Sequence, residues 1–391
     1  MPERSTSSEP LKVALIGCGQ IADAHLQQIA RIRSARVIAV CDLHADLAEQ
    51  AAARFGIAAR YNDPAEMLAR ERPDVVQIAT PAHTHHAVAR LCLAADCHVY
   101  VEKPFTLTAP EAESLLDLAA ERGRLACVGH DQLFDPAWLE VRDRIARGEL
   151  GEVRHVESTL GYPLSGQFGA LVASDPRHWV RRLPGGLFHN TISHPLYRIT
   201  EFLKDDRPQI DARWRTRPGF NFPTELRVDL QGASVSGTLT FATTIASQRI
   251  TRIYGTTGTL ECELDGQIVR RIGPAPAPGA FAKLLTPWRQ RREAARTFRR
   301  QLGRFARGKI HYFAGLKSLC ERFYDAIRTG AAPPIPPAEI VRVTRIMDEI
   351  FETARQRDAS TNWGGAERRG SEWKAIARDS RPAAAMRESL T

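Results

Sequence analysis

Hydrophobic and polar positions follow two alternating periods along the N-terminal third of the chain. Short apolar runs rich in β-branched residues are each followed by a segment in which apolar residues recur about every 3.6 positions, a pattern typical of a buried strand and then a helix. The predicted strands are residues 11–16, 37–41, 75–79, 98–101 and 125–128, and the predicted helices are residues 21–32, 46–55, 86–95, 110–122 and 136–148. Strands that alternate with helices predict a parallel sheet with helices on both faces.

After residue 152 the pattern changes to longer stretches of period two, several of them separated or ended by glycines. These stretches are residues 153–159, 225–230, 234–244 and 248–254. They predict an open, mainly antiparallel sheet with one packed face and one exposed face. Two amphipathic helices are predicted at residues 316–329 and 338–355, which gives the C-terminal half α+β character.

Composition places the chain among ordinary globular proteins, with 43% hydrophobic and 25% charged residues. No apolar run reaches the ~20 residues of a membrane-spanning helix, and the polar N-terminus lacks the apolar region of a signal peptide. The seven scattered cysteines are best explained as free buried thiols in a reducing compartment. We therefore expect a cytoplasmic protein.

A glycine-rich turn stands where the first predicted strand meets the first predicted helix. Its residues are Gly17-Cys18-Gly19-Gln20-Ile21-Ala22, which match the pattern G-x-G-x-x-A. In this pattern Gly17 allows the tight turn, and Gly19 lets the backbone approach a pyrophosphate. The helix that begins near Gln20 and Ile21 offers unpaired N–H groups to the phosphates. The alternative is a tight turn that binds no cofactor.

Asp42 ends the second predicted strand, at roughly the 20-residue distance expected of the acid that binds the adenosine ribose. An acid repels a 2′-phosphate, and the next residues, Leu43 and His44, supply no arginine to receive one. NAD is therefore the favoured cofactor. NADP stays open, because His44 or Arg60 could approach from the side.

Three further segments follow predicted strands of the first domain. They are Ala79-Thr80-Pro81 with His85, Val101-Glu102-Lys103-Pro104, and Gly129-His130-Asp131. In residue type and spacing they resemble the Gfo/Idh/MocA oxidoreductases, and the resemblance covers roughly residues 11–360. It implies a Rossmann domain followed by a second domain with an open sheet. It also implies that the cofactor is contacted by Thr80, Pro81, His85, Glu102 and Lys103.

Lys103 is the main catalytic candidate. It follows the strand at residues 98–101, at the edge where ligands bind in open parallel sheets. In the family the lysine of this motif contacts the nicotinamide and the reacting hydroxyl, and the next proline is commonly preceded by a cis peptide. A lysine beside a positive ring would have a lowered pKa and could orient or polarise the substrate oxygen. The alternative is a solvated lysine after a strand.

The second domain supplies the other half of the predicted active site. A glycine pair is followed by Asn190 and, four positions later, by His194. His194 matches the family histidine, whereas Asn190 stands where the family has an aspartate. Because an amide cannot exchange a proton, His194 must act as general acid/base with Lys103 alone, or the chemistry differs from that of the usual member. The alternative is a helix histidine that is satisfied by its neighbours.

Other candidate substrate-binding residues carry weaker signals. They are His130, Gln132, Tyr162, Trp179, Arg181 and Asn190. Trp179 and Arg181 precede the glycine pair, where the family often has a Trp-Arg substrate loop. Histidines 83, 85 and 86 invite a metal, but no carboxylate or thiol stands at useful spacing, so no metal site is predicted.

The predicted fold class is α/β, with an N-terminal Rossmann parallel sheet that has helices on both faces and a C-terminal α+β domain with an open, mainly antiparallel sheet. The predicted divisions are a flexible N-terminus at 1–10, a Rossmann domain at 11–133, an α+β substrate and oligomerisation domain at 134–358 with a basic insertion at about 273–310, and a disordered tail at 359–391. The resemblance implies hydride transfer between NAD(P) and a hydroxyl carbon of a sugar, nucleotide-sugar or cyclitol, by a homo-oligomer. Two alternatives stay open: an NAD-dependent glycoside hydrolase and a redox-silent regulator that binds NAD(P) or sugar.

The net charge of +9 is concentrated in one segment. Residues 283–309 contain ten Lys or Arg residues and one acid, so the rest of the chain is neutral. Apolar residues recur around this segment at helical spacing: Phe281, Leu284, Leu285, Trp288, Ala295, Phe298, Leu302 and Phe305. We expect this stripe to pack on its own domain or on a sister subunit, with an anionic membrane surface or an anionic nucleotide-sugar as alternative partners. No nucleic acid is expected, because no nucleic-acid-binding module accompanies the charge.

Overall fold

The computed structural model describes residues 9–273, 278–307 and 310–359. Residues 1–8 of the predicted N-terminal segment and residues 360–391 of the predicted tail lie outside the described residues. The strands of the first half are β1 Leu11–Ile16, β2 Ala35–Cys41, β3 Ala59–Tyr61, β4 Val75–Ile78, β5 His98–Val101 and β6 Ala126–Val128. They form one sheet in the order β3-β2-β1-β4-β5-β6, with parallel pairing throughout. This order confirms the predicted Rossmann sheet, and its strand order reverses between β1 and β4.

Helices cover both faces of this sheet. They are α1 Ala22–Ile29, α2 Ala45–Phe55, α3 Pro64–Glu71, α4 His85–Ala94 and α5 Ala109–Glu121. The next helix, α6 Pro136–Ala146, packs on the second half of the chain. Leu15 of β1 belongs to one buried apolar cluster and the next residue, Ile16, to another, as expected of a strand buried on two sides. The sequence pattern did not predict β3 and α3, because β3 has only three residues and none of them is fully buried.

The second half is built on a seven-stranded sheet. Its strands are β7 Val153–Gly161, β8 Gln209–Arg215, β9 Glu225–Gln231, β10 Ser236–Ala242, β11 Gln248–Gly255, β12 Gly258–Glu263 and β13 Ile268–Ile272. Their order is β13-β12-β11-β7-β10-β9-β8, and only β7 and β10 pair in parallel. The predicted open, mainly antiparallel sheet is confirmed, although β8, β12 and β13 were not predicted.

The remaining helices follow α6, and the last two of them contact both halves. They are α7 Gln167–Ser174, α8 Gly186–Thr191, α9 Ser193–Thr200, α10 Ala280–Ala306, α11 Ala314–Thr329 and α12 Pro337–Ala359, with single 3-10 turns at Ala82–Thr84, Asp131–Phe134 and Trp179–Arg182. The amide of Gln77 on β4 donates to the hydroxyl of Tyr324 on α11 at 2.8 Å. The backbone N–H of Ala109 donates to Asp348 on α12 at 2.8 Å. The C-terminal helices thus hold the Rossmann sheet against the second half.

Helix α10 contains the predicted basic segment up to Ala306. The stripe does not pack on its own domain as predicted, because Phe281, Trp288, Phe298 and other members of the stripe are exposed in the chain. Packing on a sister subunit, the other part of that expectation, stays a prediction. The polar side of the helix faces the protein instead, through side chains such as Glu293. No helix in the described ranges combines the length and apolar character needed to cross a bilayer.

Candidate functional site

The glycine turn between β1 and α1 has an open upper surface. Gly17 has a φ of +98°, and a Cβ there would lie 2.6 Å from the backbone of Ala79, so this position tolerates only glycine. A Cβ at Gly19 would meet no protein atom within 4 Å. Gln20 beside it is exposed, and Ile21 caps α1. The first glycine therefore serves the fold, and the second leaves room for a ligand to approach the backbone.

Asp42 lies beside this turn because β2 pairs with β1. Its Oδ2 accepts a hydrogen bond from the backbone N–H of Cys18 at 2.7 Å, and its Oδ1 accepts one from that of His44 at 2.9 Å. Each carboxylate oxygen can accept a further bond, so the oriented acid can still receive a ribose hydroxyl. The open cradle at Gly19 and this acid fit a dinucleotide such as NAD.

The loop after β5 is fixed from two sides. Glu102 Oε1 lies 2.9 Å from Nε2 of His25 on α1, and Glu102 Oε2 accepts from the backbone N–H of Lys103 at 3.1 Å. Burial opposes ionisation of Glu102, but the bond from His25 and the charges of His25 and Lys103 bring its pKa below the ordinary value. Glu102 is therefore an anion held inside the protein. The peptide between Lys103 and Pro104 is cis.

Lys103 reaches across from the Rossmann half to the second half. Its Nζ donates to the backbone carbonyl of Asn190, near the end of α8, at 2.9 Å. Burial lowers the pKa of Lys103, while the carboxyl groups of Glu102 and Asp131 oppose that effect. The amine is consequently closer to neutral than a surface lysine. The role of Asn190 through its main-chain oxygen could not be predicted from its side chain.

His194 is held in one orientation by Tyr197. The two residues approach at 2.8 Å between Nδ1 and the hydroxyl oxygen, and Tyr197 also has a backbone hydrogen bond with Gln132. The Tyr197 hydroxyl can donate its proton to Nδ1, and in that arrangement a neutral His194 carries its own proton on Nε2. Burial and then the charges of Lys103 and Arg198 bring the pKa of His194 well below its usual value. His194 is therefore a neutral hydrogen-bonding group, whereas its residue type alone predicted a proton exchanger near neutral pH.

Asp131 is a functional candidate that sequence reasoning did not single out. Burial raises its pKa to about 8, with further contributions from the charges of Asp135 and Glu102. Its Oδ1 is buried and has no hydrogen-bond partner among the described residues. The neighbouring His130 has a pKa lowered to about 3 by burial, and its ring lies 4.5 Å from that of Tyr197. The signal available in the sequence was the motif Gly129-His130-Asp131 itself.

Helix α9, which carries His194, also carries a fully buried arginine, Arg198. It donates to the side-chain oxygen of Gln132, to the hydroxyl of Thr251 at 2.8 Å and to the hydroxyl of Ser158 at 3.3 Å. The carbonyl of Gln132, predicted to bind substrate, is thus engaged by Arg198. No sequence signal distinguishes Arg198 from an ordinary helix arginine.

The predicted Trp-Arg loop joins the two halves. Trp179 packs against Ala82 and Leu107 of the Rossmann half. Arg181 donates to the side chain of Asn221 at 2.8 Å, and its guanidinium lies 4.4 Å from the centre of the Phe222 ring. The loop is therefore held by contacts with the Rossmann half and with the second half.

His85 braces the two loops predicted to contact the cofactor. Its Nε2 lies 2.8 Å from the carbonyl oxygen of Thr80, and its Nδ1 lies 2.8 Å from that of Pro104. Both ring nitrogens are thus taken up by the main chain. The loop that carries Thr80 and Pro81 is positioned by His85 relative to Lys103. Elsewhere in the second half, the ring of Tyr162 contacts Phe241 edge-on.

Two adjacent segments match descriptions of one protein family. Residues 11–130 match the NAD-binding Rossmann fold of the Gfo/Idh/MocA oxidoreductases. Residues 138–261 match the C-terminal domain of the same family. These matches confirm the resemblance, and the NAD-binding description confirms the predicted class of cofactor.

Curated relatives align with part of the chain. The D-glucoside 3-dehydrogenase of Escherichia coli (strain K12) is 33% identical over 148 residues, which are 38% of this chain and 42% of that enzyme. The inositol 2-dehydrogenase of Rhizobium meliloti (strain 1021) is 28% identical over 198 residues, which are 51% of this chain and 56% of that enzyme. The chain thus spans about half of the length of these relatives.

Solved structures align over nearly the whole fold. The WlbA dehydrogenase from Bordetella pertussis, in complex with NADH and UDP-GlcNAcA, gives a TM-score of 0.71 at 17% identity. The alignment covers 90% of this chain and 97% of that one. At this identity the likeness shows a shared fold, including the open sheet of the second half.

Proposed function

Because this chain belongs to the Gfo/Idh/MocA family of oxidoreductases, we propose that it transfers a hydride between NAD and a hydroxyl-bearing carbon of a sugar, nucleotide-sugar or cyclitol. The observation that carries the proposal is the position of Lys103, whose Nζ lies 2.9 Å from the carbonyl of Asn190 at the junction of the two halves. The substrate class follows relatives named for glucoside and inositol oxidation.

Lys103 and His194 have different roles towards the proton of the substrate hydroxyl. When bound, NAD supplies the acceptor for the hydride. Lys103 Nζ accepts the proton of the substrate hydroxyl, because burial lowers its pKa and the carbonyl of Asn190 holds one N–H bond in place. His194 donates from Nε2 to the same oxygen and orients it. The side chain of Asn190 needs no proton of its own in this arrangement.

The cofactor is held by the Rossmann half. Gly19, Gln20 and Ile21 at the N-terminus of α1 would hold the pyrophosphate through backbone N–H groups. Asp42 would receive the ribose hydroxyls, and its charge favours NAD over NADP. Arg60, a candidate for receiving a 2′-phosphate, lies 3.9 Å from Glu49, which competes for its charge. Thr80, Pro81 and the Glu102–Lys103 loop border the nicotinamide end.

The substrate is held mainly by the second half. His130, Tyr162 and Trp179 present rings and polar atoms suited to sugar hydroxyls and faces. Gln132 acts through Arg198, which fixes its carbonyl. Arg181 supports the loop that carries Trp179 and bounds the site on its outer side.

The proposal extends to the protein's organisation. The outer face of the second sheet, with half-exposed Tyr254 and Arg252, is the surface on which a homo-oligomer would form. All seven cysteines are free and buried, which supports a reducing compartment such as the cytoplasm. The domain limits remain 11–133 and 134–358.

A substrate panel tests the proposal. The purified protein is incubated with NAD and glucosides, inositols or nucleotide-sugars, while the absorbance of reduced nicotinamide is followed, and a chromogenic glycoside is run alongside. We expect net NADH formation with one of these classes. Release of the aglycone without net NADH would indicate a glycoside hydrolase. Binding of NAD without either product would indicate a redox-silent regulator.

A further inference from the structure

Helix α10 is inverted relative to an ordinary surface helix. Such helices normally turn their apolar stripe to the core and their polar side to water. This 27-residue helix is joined to the rest of the chain by hydrogen bonds and ion pairs from its polar side. Glu293 accepts from Arg144 at 2.9 Å and from the backbone N–H of Arg271 at 3.1 Å. Gln301 donates to the carbonyl of Gln267 at 2.8 Å.

The apolar stripe faces away from the protein as a result. Six large apolar side chains of the helix are each at least half exposed: Phe281, Leu284, Trp288, Phe298, Leu302 and Phe305. Their spacing places them along one side of the helix. Phe298 is 67% exposed and Phe305 is 73% exposed. Side chains that are exposed to this extent contribute little to the stability of the single chain. A contiguous exposed patch of this kind marks an interaction surface.

Cations border this stripe. The helix carries eight Lys or Arg residues and one acid, Glu293, which is already paired with Arg144. A cleft beside the helix has an excess of positive charge, because seven arginines and three glutamates line it: Arg144, Arg147, Arg271, Arg289, Arg292, Arg296 and Arg300, with Glu140, Glu149 and Glu293. Arg292 lies over the ring of Trp288 at 4.6 Å, which joins the basic cleft to the apolar stripe.

We propose that α10 is an interfacial helix that seats the protein on an anionic lipid bilayer. Trp288 and the phenylalanines enter the boundary between headgroups and acyl chains, and the basic cleft receives anionic headgroups. A nucleic acid would match the charge but would leave Leu284 and Leu302 of the apolar stripe without a partner. A second copy of the same helix would match the stripe but would bring two strongly cationic surfaces together. An anionic bilayer complements both features at once.

Vesicle binding tests the inference. The full chain is sedimented with vesicles of phosphatidylcholine alone and with vesicles that also contain phosphatidylglycerol, at low and high salt. We expect binding to the anionic vesicles at low salt, weaker binding at high salt and none to phosphatidylcholine alone. Absence of binding to anionic vesicles at low salt would overturn the proposal.

Two variants separate the apolar and electrostatic contributions. In the first, Phe298→Ser and Leu302→Ser shorten the stripe without changing the net charge, and Phe220→Ser in a loop elsewhere is the control. In the second, Arg291, Arg292 and Arg299 become Gln, and the control converts Arg70, Arg154 and Arg213 to Gln for the same change in net charge. We expect each α10 variant to weaken partitioning roughly 10-fold or more, while both controls bind as the wild type does.

The competing occupants give distinct results. If the stripe variant lowers the mass of the protein in analytical ultracentrifugation without affecting vesicle binding, the helix is a subunit interface and the proposal fails. If the charge control weakens binding as much as the α10 charge variant, the attraction is diffuse and the proposal also fails. Circular dichroism and NAD titration of each variant verify that it is folded.

Discussion

The two glycines of the first turn should respond in opposite ways to the same substitution. Gly17→Ala places a Cβ 2.6 Å from the backbone of Ala79 at a φ of +98°, so it meets both a steric overlap and an unfavourable backbone conformation. The conformation alone costs about 1 to 2 kcal/mol, and the overlap forces β1 or the loop after β4 to move. We therefore expect Gly17→Ala to lower stability by at least about 2 kcal/mol.

Gly19→Ala is the matched variant, because its Cβ would meet no protein atom within 4 Å. Its stability should stay within about 0.5 kcal/mol of the wild type. The added methyl group nevertheless occupies the surface over which the pyrophosphate is proposed to lie. We expect the Kd for NAD to rise about 10-fold or more, which corresponds to about 1.4 kcal/mol.

Thermal unfolding of the apo proteins and fluorescence titration with NADH measure these two effects separately. Gly17→Ala should lower Tm, and Gly19→Ala should leave Tm unchanged while weakening binding. The reasoning is refuted if Gly19→Ala binds NADH as tightly as the wild type, since the dinucleotide would then lie elsewhere. A Gly17→Ala variant with the wild-type Tm would refute the account of the turn.

Three further substitutions test the acids and the amide of the site. Asp42→Ser should relax the preference for NAD, because it removes the repulsion of a 2′-phosphate. The preference is measured as the ratio of kcat/KM with NAD to kcat/KM with NADP, and an unchanged ratio would contradict the role of Asp42 at the ribose. Asn190→Asp should place a carboxylate near Lys103 and raise the pKa of Lys103. The pH optimum should then move upward, with a smaller change in the maximal rate. If the wild type is nearly inactive and Asn190→Asp gains activity, the protein is a regulator instead. Because the pKa of Asp131 is raised from 3.8 to about 8, the folded state binds more protons than the unfolded state between these values and loses stability as the pH rises. Asp131→Asn removes this titration. The unfolding free energy of the variant minus that of the wild type, measured with urea, should be at least about 1 kcal/mol larger at about pH 8 than at about pH 5. The same difference at the two pH values would contradict the raised pKa.

The sequence predicted those parts of the fold whose signal is local. The glycine turn, the edge position of Lys103 and the parallel sheet follow from short patterns that repeat one after another. The strands β8 and β13 gave no such signal. Only one side chain in each of these strands is fully buried, so neither shows a clear alternation.

Contacts between distant segments could not be predicted. His25 and Glu102 are 77 positions apart, and their pairing depends on how α1 lies against the end of β5. The buried position of Arg198 likewise depends on hydroxyl groups from two strands of the second sheet. The helical stripe of α10 was recognised, but the side that faces the protein is set by Glu293 and Arg144, which are 149 positions apart.

The turnover of Lys103→Ala tests the central claim most directly. Its kcat with the substrate identified by the panel is compared with that of the wild type and of Lys204→Ala, an exposed lysine on the same chain. NAD affinity is measured in parallel. The account predicts that kcat falls by about 10² or more while the Kd for NAD stays within a few-fold, since Lys103 moves the proton and the glycine turn holds the cofactor. Wild-type turnover in Lys103→Ala would contradict the assignment of Lys103 as the catalytic base.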